Sequence, residues 1–173
     1  MNLILIGYRG SGKTTLGKLL AQQLWKDFVD VDAEICRRIG IASIAEIWQK
    51  HGEPYFREVE VEVTRAFCAR PELVIALGGG TLMQPGAREA VEAAEAVRVY
   101  LKCEPGELLR RIQGDAASAA HRPNLSSLGG GVEEIEAMLR EREPVYEAVA
   151  DHVLDVTRLN TEDAARYLIE RCM

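Results

Sequence analysis

An α/β fold built on a mostly parallel sheet is predicted for this chain by three features of its sequence. Short apolar runs alternate with helix-length segments from one end to the other, a pattern that requires right-handed crossovers and a sheet covered on both faces. The first run, Asn2–Ile6, opens directly into Gly7-Tyr8-Arg9-Gly10-Ser11-Gly12-Lys13-Thr14, a glycine-rich turn leading into a helix. No repeat, low-complexity linker or second boundary interrupts the 173 residues, so one domain with at most a small mobile insertion accounts for the chain.

Strand 2–6 is apolar after Asn2, and helix 13–25 follows with Leu16, Leu19, Leu20 and Leu24 at helical spacing. Strand 27–29 comes next. Helices are expected within 32–40 and 43–51, the second opened by Ser43-x-x-Glu46, which fits a capping box. A longer helix, 54–69, precedes strand 73–77, and helix 84–95, strand 97–102 and helix 105–113 continue the alternation. Residues 114–131 break it. Their small residues and closing Gly129-Gly130-Gly131 anchor little apolar surface, which suits either a flap over a site or an ordinary surface loop. Helix 132–150 has an apolar seam of Ile135, Met138, Leu139, Tyr146 and Val149. Strand 152–156 and helix 161–171, with Thr161 as N-cap before Glu162 and Asp163, complete the chain.

Hydrophobic residues make up 47% of the chain, enough for a core, and 21 basic against 27 acidic residues leave a net charge of −6. That balance excludes a nucleic-acid partner held mainly through phosphates, which requires clustered Lys and Arg. No apolar run approaches the ~20 residues of a membrane span, and a strand beginning at residue 2 leaves no room for a signal peptide. A cytoplasmic location is expected. Cys36, Cys68, Cys103 and Cys172 form no C-x-x-C pair and no zinc-ligand spacing, so they are expected as reduced thiols serving as small buried hydrophobes.

Five groups of residues have chemistry to explain. Gly7 to Thr14 matches G-x-x-x-x-G-K-[ST]. Glycines turn the backbone so that successive N–H groups face a polyphosphate, Lys13 brings a cation to the β- and γ-phosphates, and the Thr14 hydroxyl suits Mg²⁺. Asp30 and Asp32 end the second strand, where ligands of parallel sheets bind; in extended backbone they point oppositely, one toward the metal's water shell and the other toward an acceptor alcohol. Asp32 could equally be a helix cap. Arg57 and Glu60, three apart on one helix face, form either a surface ion pair or part of a site. Gly78-Gly79-Gly80 removes side chains where a ligand could lie against backbone. Arg142 sits on the apolar seam of helix 132–150, where a charge must be paired by Glu60 or Glu58, answer an anionic ligand, or snorkel to solvent.

Taken in order, the phosphate loop 7–14, Asp30-x-Asp32, Gly52-Glu53-x-x-Phe56-Arg57-x-x-Glu60, Gly78-Gly79-Gly80, Arg122-Pro123 and Arg142-x-x-x-Tyr146 resemble shikimate kinase, of the nucleoside-monophosphate-kinase-like P-loop group. The resemblance covers nearly the whole chain. It implies a three-layer αβα P-loop fold with a five-stranded parallel sheet in the order 2-3-1-4-5, a substrate-binding segment at about 30–60 and a mobile lid at about 114–131. It implies ATP and Mg²⁺ as cofactors, shikimate phosphorylated at its 3-hydroxyl, and a monomer. The positions then imply roles: Lys13, Asp32 and Arg122 in catalysis; Gly10, Ser11, Gly12, Lys13, Thr14, Thr15, Arg111, Arg122 and Arg158 around the nucleotide; Asp32, Arg57, Glu60, Gly78, Gly79, Gly80 and Arg142 around shikimate; Thr14 and Asp30 on the metal side. The chain departs from the family at Asn124-Leu125, where two apolar residues are common, and in the run Leu128-Gly129-Gly130-Gly131. A kinase for another hydroxy acid such as gluconate, or for a nucleoside monophosphate, shares the fold and Lys13, and a ligand-sensing domain without turnover is the non-enzymatic alternative. A guanine-nucleotide switch would need an Asn-Lys-x-Asp motif that the chain lacks.

Overall fold

The computed structural model describes residues 1–115, 123–125 and 128–172. Among these, β1 (Asn2–Ile6), β2 (Asp27–Asp30), β3 (Leu73–Ala76), β4 (Ala96–Lys102) and β5 (His152–Asp155) form one sheet in the order β2-β3-β1-β4-β5. Every neighbouring pair is parallel. The central strand β1 and its neighbour β3 are buried along their whole length, which is why their sequences, after Asn2, run apolar without alternation. In β1, Ile4 lies between Ile75 of β3 and Arg98 of β4.

The helices are α1 (Lys13–Leu24), α2 (Val31–Ile39), α3 (Ile44–His51), α4 (Glu53–Cys68), α5 (Pro85–Ala93), α6 (Pro105–Gly114), α7 (Val132–Val149) and α8 (Thr161–Cys172). The Ser43 hydroxyl accepts from the Glu46 amide, as its capping pattern predicts. The cap of α8 is Asn160 instead of Thr161: its Oδ1 accepts from the Asp163 amide at 2.8 Å, because a side-chain amide one residue earlier reaches the third N–H of the helix. A short 3₁₀ turn at Thr81–Met83, unforeseen in the sequence, delays α5 to Pro85. The buried seam of α7 includes Arg142 and Tyr146, which flank Pro144 in the helix interior.

No disulfide joins the cysteines; Cys68 and Cys103 are buried, while Cys36 and Cys172 are only half-buried and so serve less as core than expected. Burial pushes the Cys68 thiol up to about 11, the state of an inert packing residue. Among the described residues no helix is long and apolar enough to cross a membrane. The strand order places the ends of β2, β3 and β1 side by side, so the loops bearing Asp32, the glycine triplet and the phosphate loop meet at one edge of the sheet.

Candidate active site

The phosphate loop leaves β1 at Gly7 and turns into α1. Gly10 (φ 86°) and Gly12 (φ 96°) occupy the left-handed region, where any side chain is strained, and this allows the turn to end on the N-terminus of α1. The loop floors a cavity of about 610 Å³ lined by Gly10, Ser11, Gly12, Lys13, Thr14 and Thr15. The Lys13 ammonium is buried and donates to the carbonyls of Gly7 (2.6 Å) and Tyr8 (2.9 Å), so it lies folded along the rim of its own loop. Thr14 Oγ1 donates to Asp30 Oδ2 at 2.7 Å. This hydroxyl and carboxylate are hard oxygen donors that fit Mg²⁺, which keeps waters and takes its other ligands from phosphates. Among the described residues no group of three or more His, Cys, Asp or Glu is arranged around a metal.

Asp30 and Asp32 do diverge, but not for the reason expected. The strand ends at Asp30, whose Oδ1 caps α2 by accepting from the Ala33 amide at 3.1 Å, and Asp32 already lies in the first helical turn. The 100° step between helical residues, with fully buried Val31 between them, turns one carboxylate to Thr14 and the other toward Gly78. Asp32 lines both the phosphate-loop cavity and a second, narrow cleft of about 50 Å³ beside it.

That cleft is bounded by Arg57, Glu60, Arg142 and all three glycines of the triplet. Arg57 Nη1 donates to Glu60 Oε2 at 2.8 Å, and its other edge reaches Glu53 Oε1 at 3.3 Å. The Arg57 guanidinium also lies 5.3 Å from the ring centre of Phe56 and 5.8 Å from that of Trp48. Glu60 is 1% exposed, with Oε1 accepting from the Thr81 hydroxyl at 2.7 Å. Burial raises its carboxyl above the ordinary range and the nearby Asp32 charge adds to this, while Arg57 opposes it. The expected Arg57–Glu60 pair is thus a half-buried strut with a third member, Thr81.

The triplet has a use that the sequence did not show. A Cβ on Gly78 would lie 2.7 Å from Asp32 Oδ1, one on Gly79 3.3 Å from Arg142 Nη1, and one on Gly80 2.8 Å from both terminal nitrogens of Arg57. The glycines therefore make room for the charged groups of the cleft before they make room for any ligand. Gly80→Ala is expected to fold normally, because the clash falls on the end of a flexible side chain, yet to weaken acceptor binding by roughly tenfold to a hundredfold through a displaced guanidinium. Steady-state kinetics beside a thermal melt checks this.

Arg142 is 8% exposed, and among the described residues no carboxylate lies within ion-pair distance of it; neither Glu58 nor Glu60 answers it. Its guanidinium lies 6.0 Å from the Tyr8 ring centre and reaches the Tyr146 hydroxyl, which itself donates to the Gly79 carbonyl. Burial pushes the Tyr146 phenol up to about 12, so it remains a donor. Two guanidinium groups thus converge on a cleft that opens beside a phosphate loop, the arrangement required to hold a small carboxylate near a polyphosphate.

Residues 9–173 match the family model for shikimate kinase. The chain belongs to the shikimate kinase family. It is 40% identical over 162 residues to a shikimate kinase of Rhodopirellula baltica, covering 94% of this chain and 85% of that protein. It is 40% identical over 168 residues to one from Mycobacterium avium, covering 97% and 91%. A shikimate kinase from Acinetobacter baumannii, solved in complex with shikimate, superposes with a TM-score of 0.89 at 32% identity, covering 98% of this chain and 90% of that one. The sheet order inferred from the family resemblance is the one the structure has.

Of the nucleotide-side positions assigned through the family, Arg111 lines the larger cavity, tied to Glu107 (2.9 Å) and to the Val156 carbonyl (2.7 Å). Arg158 is exposed and is not among the lining residues; Leu159, Asn160 and Thr161 take that wall. Arg122 and half of the expected lid at 114–131 lie outside the described residues. Sequence reasoning did not single out Trp48 or Arg9, which line the cleft, or Thr81 and Tyr8, which contact its residues Glu60 and Arg142. For Trp48 the signal was its position one turn before the Gly52–Glu60 block. Arg9 left a clearer one, a cation inside a loop whose other residues are chosen for backbone shape.

Proposed function

We propose that the chain transfers the γ-phosphoryl group of ATP to the 3-hydroxyl of shikimate, giving shikimate 3-phosphate and ADP. The observation that carries this reading is the convergence of Arg57, Arg142 and Asp32 on one cleft whose wall, Gly78 and Gly79, is shared with the phosphate-loop cavity. Arg57 and Arg142 grip the acceptor carboxylate, with Glu60 and Thr81 fixing Arg57 in place. Gly79 and Gly80 lie under the acceptor ring. Asp32, where the two cavities meet, orients the acceptor hydroxyl and takes its proton. Gly10 to Thr15 hold the phosphates through backbone N–H groups and the α1 N-terminus, Lys13 neutralises transferring charge, and the family position of Arg122 adds a second cation. Thr14 and Asp30 would hold Mg²⁺, which would supply positive charge to offset that of the phosphates. We also propose that the enzyme acts as a monomer in the cytoplasm, since all of these residues come from one chain and its four thiols are free.

An ATP-coupled assay across shikimate, gluconate and nucleoside monophosphates tests the reading. Shikimate is expected to be preferred by about a hundredfold in kcat/KM, because its ring holds the carboxylate and the reacting hydroxyl at a fixed separation between the guanidinium groups and Asp32, whereas the other acceptors carry an anion but not that spacing. Turnover of gluconate or a nucleotide without shikimate would overturn the acceptor, and binding of shikimate and ATP without any turnover would favour a ligand-sensing domain.

A further inference from the structure

The roof of the acceptor cleft is fastened at two points by residues that have no part in the chemistry described above. Pro123 and Leu125 both line the cleft. From the phosphate loop, Arg9 Nη1 donates to the Pro123 carbonyl at 3.5 Å; from the first turn of α7, Glu134 Oε1 accepts from the Leu125 amide at 2.9 Å.

Both side chains lie where their charge is costly. Arg9 is 9% exposed and Glu134 0%. A helix N-terminus favours an acidic residue in its first turn, but Glu133, beside it, is exposed and already meets that preference. Glu134 is instead turned inward onto the roof. Burying a carboxylate requires hydrogen bonds that repay its desolvation, and one of them is the backbone of Leu125. Arg9 shows the same displacement from its neighbours. Gly10 to Thr15 line the nucleotide cavity, whereas Arg9 lines only the acceptor cleft, so one loop touches the phosphates with its backbone and the roof with a side chain. Tyr8 lies among these groups: burial raises its phenol above the ordinary range, Arg9 and Arg142 oppose this, and Glu134 adds to it.

We infer that Arg9 and Glu134 are a pair of positioning residues that clasp Pro123–Leu125 over the bound acceptor, so that the γ-phosphoryl group passes to the acceptor hydroxyl and not to water. The inference rests on the kinase reading above. Without the clasp the roof admits water, and ATP plus water gives ADP and inorganic phosphate in place of the phosphorylated acceptor.

The test compares Glu134→Leu, Glu134→Gln and Arg9→Met with the natural chain. Measurements are shikimate KM, ATP KM, phosphate released per ATP consumed, and hydrogen exchange of the Leu125 amide. Glu134→Leu and Arg9→Met are expected to raise shikimate KM about tenfold and the released-phosphate fraction severalfold, the loss of one charge-assisted hydrogen bond, while ATP KM changes less than about threefold. Glu134→Gln keeps an oxygen for the Leu125 amide and is expected to restore both values to within about threefold of the natural chain. Leu125 exchange is expected to quicken in Glu134→Leu and not in Glu134→Gln. A folded Glu134→Leu or Arg9→Met protein with unchanged shikimate KM and phosphate fraction overturns the inference, as does a Glu134→Gln protein as impaired as Glu134→Leu. Should Glu134→Leu fail to fold, Arg9→Met and Glu134→Gln decide the matter alone. If the natural chain does not phosphorylate shikimate, the kinase reading fails, while exchange at Leu125 still reports whether Glu134 holds the roof.

Discussion

Replacing Asp32 with asparagine is expected to lower kcat for shikimate by roughly 10² to 10⁴-fold while ADP affinity changes by less than about threefold. Asparagine keeps the size of the side chain and one hydrogen-bond acceptor but cannot take a proton, so the two contributions separate. Asp32 stands where the two cavities join, and its carboxylate lies against Gly78, near enough to Glu60 to raise that carboxyl. Asp30, the carboxylate proposed for the metal side, accepts from Thr14, and the substitution leaves that pair intact. Rapid-quench measurement of the chemical step, with ADP titration alongside, checks the prediction. A full rate with asparagine would remove Asp32 from proton transfer and leave acceptor orientation to the arginines.

Arg142→Leu should raise shikimate KM by about a hundredfold, the worth of a strong charge-assisted contact, without lowering the melting temperature. The stability half of this statement is the more discriminating. Arg142 is buried with no carboxylate in ion-pair distance among the described residues, so its removal relieves an uncompensated charge and leaves only Tyr8 and Tyr146 to repack around leucine. The other guanidinium behaves oppositely. Arg57→Leu would strip Glu60 of its cation and leave a 1% exposed carboxyl with Thr81 alone, at a cost of about 3 kcal/mol in stability besides the loss of binding. Calorimetry of the two variants next to their kinetics distinguishes a residue kept for its ligand from one that also supports the fold. A large drop in melting temperature for Arg142→Leu would mean that the charge is compensated within the protein.

The two arginines also show how legibility varies along this chain. Arg57 and Glu60 are three residues apart on one helix, and helical geometry brings them together whatever the rest of the fold does. Arg142 was recognisable as misplaced on an apolar seam, but the choice among Glu58, Glu60 and a ligand depended on distances between elements far apart in sequence. The aspartates were read on the right edge of the sheet with the wrong backbone: whether residue 31 ends a strand or begins a helix is a matter of one or two residues, settled by the Asp30 cap on Ala33. Arg158 illustrates the opposite limit: its nucleotide-side role rests on family position alone, because an exposed side chain outside the cavity lining carries no local sign of its partner.

The family resemblance implied a carboxylate-bearing acceptor, whereas periodicity and the phosphate-loop pattern were enough by themselves to determine an α/β sheet with a nucleotide at the end of β1. These depend on local rules: the 3.6-residue helix, the continuous apolar strand, the left-handed glycine. Only the tertiary structure decided that Thr81 braces Glu60, that the triplet clears space for Asp32, Arg57 and Arg142, and that Arg9 and Glu134 meet Pro123 and Leu125. Each of these pairs or groups joins segments that the sheet order, not the sequence interval, brings within a few ångströms, and the packing of buried charges there is a property of the assembled core.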